Sequence, residues 1–169
     1  MNILYPEQYA ASVRETDYGA LWNQGVRLLL FDVDNTLATY NTALPDAAIK
    51  ALFHQLKEKG FQTMLLSNGK EHRVERFAAA LEVPYIYRAM KPLPGGIRRA
   101  MKKEGYQKEQ TALIGDQIFT DVLGANWAGI HAVLTRPISV VDDEWITRIK
   151  RGLEKRVIAG YLKKKGKTE

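Results

Sequence analysis

Residues Leu28-Leu29-Leu30-Phe31 form an unbroken apolar run that ends at once in Asp32-Val33-Asp34-Asn35-Thr36. A segment apolar at every position suits a strand covered on both faces, the situation of a central strand in a parallel sheet. It then delivers two carboxylates and a hydroxyl, spaced by two, to the strand end, which is where open α/β sheets bind ligands. Carboxylates beside a core need a cation, a hydrogen-bond network or a reaction to stabilise them. The plain alternative is an acidic loop after a strand, and the rest of the chain decides against it.

After residue 25, short aliphatic runs alternate with helix-period segments, the signature of βαβ units. The expected strands are Val26 to Phe31, Phe61 to Leu66, Tyr85 to Tyr87, Thr111 to Ile114 and Ile130 to Leu134. Ile49, Leu52, Phe53 and Leu56 recur at helical spacing after Pro45 and Asp46, and Gly60 closes that helix. Further helices are expected over Lys70 to Leu81, Pro94 to Glu104 and Phe119 to Ala128. The fold class is therefore α/β, a doubly wound, Rossmann-like parallel sheet of about five strands with helices on both faces.

All 169 residues are read as one domain, a length that sustains a core without disulfides or a structural metal. Residues 1–25 form an N-terminal extension with a helix between Pro6 and Trp22, 26–135 the core, and 142–169 a basic C-terminal helix and tail. In that last helix Ile146, Ile149, Leu153, Val157 and Tyr161 should line one face, with Arg148, Lys150, Arg151, Lys155 and Arg156 largely elsewhere. Lys163 to Glu169 reads as a disordered end.

The chain has no cysteine, which excludes a thiolate nucleophile, a cysteine zinc site and a disulfide scaffold. Met1 to Gln8 lacks the pattern of a signal peptide, and no run approaches the roughly 18 apolar residues of a spanning helix, so a cytoplasmic protein is expected. The net charge of +6 is local. Trp145 to Glu169 holds nine Lys and Arg against two acids, leaving the first 144 residues at −1. Such a segment is either a solvated helix face or an electrostatic contact for something anionic, a lipid headgroup or RNA.

Three more segments sit where consecutive strands of this sheet should end. Ser67-Asn68-Gly69-Lys70 offers a hydroxyl and a turn into a helix whose free N–H groups can hold an oxyanion. Lys91-Pro92-Leu93-Pro94 places a cation just before a stiff turn, and Gly115-Asp116-Gln117-Ile118-Phe119-Thr120-Asp121 brings two more carboxylates. Taken singly, these are a turn, a surface lysine and helix-capping acids. In this order, across about residues 26–135, they resemble the haloacid dehalogenase (HAD) superfamily of phosphotransferases. Within it the motifs look most like the capless IIIA phosphatases, and among those the bacterial YqeG-like branch, itself similar to the mitochondrial phosphatidylglycerophosphate phosphatases.

Three clustered carboxylates repel unless a hard cation sits among them, and oxygen-only ligands suit Mg²⁺, with Asp32 and Asp116 as the side-chain ligands. The resemblance implies that the backbone carbonyl of Asp34 is a further ligand and that Asp121 supports the metal from nearby. Asp32 is then the nucleophile that forms an aspartyl phosphate. Asp34 protonates the leaving oxygen and activates water, and Thr36 orients the loop. Ser67, Asn68 and Lys91, with the backbone amides of Val33 and Asp34, hold the phosphoryl oxygens.

Ten residues separate Asp34 from Pro45, and one helix and one strand fill Ser67 to Lys91, so no cap domain fits. The site should be open to large substrates. Kinship implies a lipid phosphomonoester, phosphatidylglycerophosphate or another membrane lipid phosphate, and the basic helix agrees through peripheral contact with an anionic membrane. The alternatives are a phosphatase of soluble sugar phosphates or nucleotides, and a non-catalytic phosphate- or RNA-binding module. Binding alone does not require both acids of the first motif, and nucleic acid is not the expected partner.

Overall fold

The computed structural model describes residues 2–141 and 145–166, and for Trp145 and Ile146 the backbone alone. Six strands form one parallel sheet: β1 (Gln8–Ala10), β2 (Leu28–Phe31), β3 (Gln62–Leu66), β4 (Tyr85–Ile86), β5 (Thr111–Gly115) and β6 (His131–Thr135), in the spatial order β1-β6-β5-β2-β3-β4. The helices are α1 (Tyr18–Asn23), α2 (Ala47–Glu58), α3 (Glu71–Leu81), α4 (Gly95–Glu104), α5 (Leu123–Ala128) and α6 (Trp145–Lys165).

Strand side chains alternate between faces, and both faces are covered. Leu29, Phe31, Leu65 and Ile114 pack beneath α1, α2 and α3, whereas Leu28, Leu30, Met64 and Leu113 pack beneath α4, α5 and α6. All four residues of β2 are fully buried, as the unbroken apolar run requires. Helix α2 starts where Asp46 Oδ1 accepts the Ile49 N–H at 2.8 Å, an N-cap that satisfies one orphan donor. Its buried face is Ile49, Leu52, Phe53 and Leu56, the stripe expected from spacing.

The connections define the site. From β2 the chain proceeds to β3 on one side, while β5 lies on the other side of β2 in direct register, Phe31 opposite Ile114. Adjacent strands whose exits diverge leave a crevice at their carboxyl ends. That crevice lies beyond Phe31 and Gly115, where Asp32 and Asp116 begin.

The structure corrects four expectations. The segment from Pro6 to Trp22 is not one helix: β1 pairs with β6, Gln8 opposite Val133, and a 3₁₀ turn (Val13–Glu15) leads to the short α1, which makes six strands of the expected five. The helix expected over Phe119 to Ala128 opens with a π turn, Ile118–Val122, before α5. In α6, Ile149 and Leu153 are exposed, whereas Arg151 and Glu154 are buried with Tyr161, beside half-buried Val157 and Ile158. The Ile146 side chain, expected on that stripe, lies outside the described residues. Lys163, Lys164 and Lys165, expected in a disordered end, continue α6, and Lys167 to Glu169 lie outside the described residues. Among the described residues, no helix is long and apolar enough to cross a membrane.

Candidate active site

Asp32 follows β2 directly, its N–H donating to the Ile114 carbonyl at 2.9 Å, so the strand pairing aims its side chain into the crevice. Beyond it the chain turns tightly: Asn35 takes a left-handed conformation (φ 61°), which asparagine tolerates better than most residues. Its N–H donates to the Ala38 carbonyl at 2.7 Å. Thr36, one position on, is buried and donates from Oγ1 to Asp116 Oδ1 at 3.1 Å, tying the β2 loop to the β5 loop.

Asp116 leaves β5, and Asp121 returns from the π turn to face it. Asp121 comes so close to the strand that a Cβ on Gly115 would stand 2.2 Å from its carboxylate carbon. Oxygens of Asp32, Asp116 and Asp121, all buried, lie within 4.8 Å of one another. Lys91 joins them from the segment after β4, its Nζ 2.8 Å from Asp32 Oδ1 and 2.6 Å from Asp121 Oδ1. Four residues from three separate segments of the chain thus form one buried charged cluster.

The electrostatics follow from burial. Desolvation raises the Asp32 carboxyl to about 8, with Lys91 opposing and Asp121 and Asp116 adding to the rise. Desolvation likewise raises Asp116 to about 6, with Asp121 adding to the rise and Arg151 and Thr36 opposing it. Burial pulls Lys91 down, but the Asp121 and Asp32 carboxylates more than reverse it and hold the ammonium protonated. Three carboxylates facing the Lys91 ammonium and the Arg151 guanidinium remain short of positive charge. An all-oxygen donor set of this kind fits a hard divalent cation.

The other expected residues are arranged around this cluster. Ser67 is buried after β3, and its Oγ accepts the Gly69 N–H at 3.0 Å, closing the turn into α3, whose first turn has no side-chain cap. Asn68 does something different from the expected phosphate contact: its Oδ1 accepts the Lys91 N–H at 2.8 Å and its Nδ2 donates to the Lys91 carbonyl at 3.0 Å. Asn68 therefore fixes the backbone that carries the lysine, and the Lys91-Pro92 peptide is cis. The Asp34 carboxylate stands apart from the three-acid group. Arg73 of α3 reaches its Oδ1 with Nε at 2.8 Å and Nη2 at 2.7 Å, and is itself anchored on the Thr42 and Thr39 carbonyls at 2.9 and 3.0 Å. Val33 is buried beneath the loop, leaving its backbone as its contribution.

Two residues of the site escaped the sequence reading. Arg151 of α6 pairs with Asp116 Oδ2 through Nη2 and donates from Nη1 to the Asp116 carbonyl at 2.8 Å. Glu154, one turn on, accepts the Ile118 N–H at 2.7 Å, capping the π turn that carries Asp121, and receives Arg151 Nη1 at 3.4 Å. The signal that points to them is Glu154 itself, an acid in a strongly basic helix, three residues from an arginine and so on the same face.

A family model described as haloacid dehalogenase-like hydrolase matches residues 37–129. The chain is 34% identical over 161 residues to the "Probable phosphatase YqeG" of Bacillus subtilis, covering 95% of this chain and 92% of that protein. It is 24% identical to phosphatidylglycerophosphate phosphatase 1 of Arabidopsis thaliana over 96% of its own length but 49% of the plant protein's. Among solved structures, the cobalt-bound deoxy-D-mannose-octulosonate 8-phosphate phosphatase of Haemophilus influenzae superposes with a TM-score of 0.54 at 18% identity, covering 68% of this chain and 80% of that one. From the match over 37–129 and the likeness along nearly its whole length, this chain belongs to the haloacid dehalogenase-like hydrolases.

Proposed function

We propose that this protein is a Mg²⁺-dependent phosphomonoester hydrolase that works through an aspartyl phosphate on Asp32, with phosphatidylglycerophosphate or another membrane lipid phosphate as substrate. The observation that carries the reading is the buried Asp32 carboxylate at a strand end, 2.8 Å from the Lys91 ammonium and beside Asp116 and Asp121. A nucleophile needs that placement, facing a cation that can share the incoming phosphate.

In the forward step Asp32 attacks phosphorus, the phosphorus–oxygen bond to the alcohol breaks, and the leaving oxygen takes a proton from Asp34. Asp34 then takes a proton from the water that attacks the aspartyl phosphate, which releases phosphate and restores Asp32. Arg73 holds Asp34 Oδ1, leaving Oδ2 to exchange the proton. Lys91, the Ser67 hydroxyl and the backbone amides of Val33 and Asp34 receive the phosphoryl oxygens, while Asn68 keeps Lys91 in place. Asp32, Asp116 and the Asp34 carbonyl, with Asp121 behind, would hold a divalent cation, which would lower the repulsion between a carboxylate and a phosphate dianion.

The lipid substrate is supported by the activity for which the plant relative is named, by the absence of a cap between the described elements, and by α6. That helix turns Ile149, Leu153 and Leu162 to solvent among lysines and arginines, a composition suited to lying on an anionic surface. Phosphate release with Mg²⁺ tests the reading, comparing phosphatidylglycerophosphate in mixed micelles with soluble sugar phosphates and nucleotides, and Asp32→Asn as the blank. The expected result is a lipid preference of at least about tenfold in kcat/KM, as each 1.4 kcal/mol of differential binding gives. A soluble winner overturns the lipid substrate, and a folded wild-type protein with no turnover on any ester leaves a phosphate-binding module.

A further inference from the structure

Between the end of β6, the 136–140 loop and the inner face of α6 lies a cavity of about 360 Å³ that the chemistry above does not use. Arg136, Arg148, Arg151 and Lys155 line it, against the two acids Asp116 and Glu154. Both acids are already engaged by Arg151. Arg148 is fixed at the wall by donating to the Val141 carbonyl at 2.8 Å. Arg136 and Lys155 stand at the open rim, and neither forms an ion pair with a described residue. Among the described residues, the lining is therefore cationic.

Thr135, the last residue of β6, also lines it. Thr135 is 1% exposed, and its Oγ1 has no hydrogen-bond partner among the described residues. A buried hydroxyl without a partner is costly and rare, and it marks a place where something else completes the bond. Here an acceptor-rich anion fits: Arg136, Arg148 and Lys155 offer donors only, the Asp116 and Glu154 carboxylates are taken by Arg151, and arginine forks match phosphate geometry. Asp116 forms part of the wall and is also a member of the carboxylate cluster, so the two sites adjoin.

We propose that this cavity binds a second phosphate group of the substrate, a phosphodiester joined through its alcohol to the phosphomonoester that Asp32 attacks. The proposal rests on the phosphatase reading above and gives it a specificity element. The diester oxygens sit among Arg136, Arg148 and Lys155 and accept the Thr135 hydroxyl, while Arg151 separates them from the carboxylates. Simple monoesters leave the cavity to water and gain nothing from it.

The test compares glycerol 3-phosphate, which has one phosphate, with deacylated phosphatidylglycerophosphate, which is soluble and has both the diester and the monoester. Wild-type protein should favour the second by about tenfold or more in kcat/KM, the scale of one or two charge-assisted hydrogen bonds. The double substitution Arg136→Gln with Lys155→Gln should remove most of that preference, and Thr135→Val should reduce it several-fold by the same hydrogen-bond scale. No preference in the wild type, or a preference that survives these substitutions, overturns the proposal. So does a preference confined to the intact lipid in micelles, because the membrane surface and not the cavity is then its source.

Binding is also read without turnover. Glycerophosphoglycerol has the diester and no hydrolysable phosphate, and it should shift the Thr135 amide resonance in the wild type but not in the double variant. A protein that binds it yet hydrolyses neither ester keeps the subsite and loses the phosphatase reading. A protein that hydrolyses both esters equally and shows no shift does the reverse.

Discussion

A methyl group on Gly115 would stand 2.2 Å from the Asp121 carboxylate carbon and 2.6 Å from its Cβ, distances no packed structure holds, so Gly115→Ala must drive Asp121 away from Lys91. The expected outcome is a folded protein that loses about 1–3 kcal/mol, the usual cost of overpacking. Phosphatase activity should fall roughly 100-fold, because a displacement of about an ångström at a reacting centre costs that much. Thermal unfolding together with phosphate release checks both halves, and a fully active variant would show that Asp121 takes no part in the site. Asp32→Asn separates function from fold at the same scale: activity should vanish while Tm holds or rises, since a buried acid pushed up to about 8 is replaced by a neutral amide. Asp32 and Asp116 were legible because each leaves a strand end and is chemically costly there, and Lys91 and Asp121, in the segment after β4 and in the π turn, because like them they lack a reason to be buried singly. Asn68 was legible in place but not in role, because the sequence does not show that its amide faces the Lys91 backbone. Arg73, in the helix after Ser67, holds Asp34.

At the scale of elements, α6 links the charged tail to the chemistry. Removing everything after Val141 takes away Arg151 and Glu154, leaving the Asp116 carboxylate and the Ile118 N–H without these partners. Arg151→Met does the first alone, and breaking a buried pair by removing one partner costs about 3–5 kcal/mol. Tm should therefore drop by several degrees on the scale of about 2–4 °C per kcal/mol for a chain of this size, with activity falling alongside. A variant as stable as the wild type would detach α6 from the site. Truncation is thus a poor probe of membrane contact, and Ile149→Gln with Leu153→Gln on the exposed face is the right one. Each buried apolar side chain there is worth about 1.5–3 kcal/mol, so sedimentation with anionic vesicles should weaken at least tenfold while activity on a soluble ester persists. Equal vesicle binding would sink the membrane role of this face. The sequence misled at α6 because two stripes fit its helical period. Ile149 and Leu153 lie on one, but Arg151, Glu154, Ile158 and Tyr161 make the face that packs, since only that face supplies partners to the β5 loop and the π turn. It misled at β1 for the converse reason: three residues, Gln8–Ala10, carry almost no local strand preference and become a strand only by pairing with Val133 to Thr135. Elements specified by their own pattern, β2 with its apolar run and α2 with its cap and stripe, were legible within two residues.

For the whole molecule, the parallel sheet delivers three buried acids to one end, and this couples global stability to pH and to cation binding. Asp32 and Asp116 have folded-state pKa values raised by burial above the ordinary carboxyl value, to about 8 and about 6. Between those limits the folded protein binds more protons than the unfolded chain, so unfolding becomes easier as pH rises. The stability these groups contribute is fully present below about pH 4 and is lost progressively as pH passes through about 6 and then about 8. In chelator, Tm should therefore fall from pH 5 to pH 8, and Asp32→Asn should flatten that fall. A divalent cation reverses the sign, because it binds the deprotonated acids and competes with protons. At 100 times its Kd a ligand that binds only the folded state adds about 2.7 kcal/mol, which for this size corresponds to about 5–10 °C. Saturating Mg²⁺ should thus raise Tm strongly at pH 8 and much less at pH 5, where protons already neutralise the cluster, and the Asp116→Asn variant should lose most of the increment. A Tm indifferent to Mg²⁺ at pH 8 would leave Lys91 and Arg151 to balance the three acids among the described residues, and the cation-dependent reading of the crevice would fail with it.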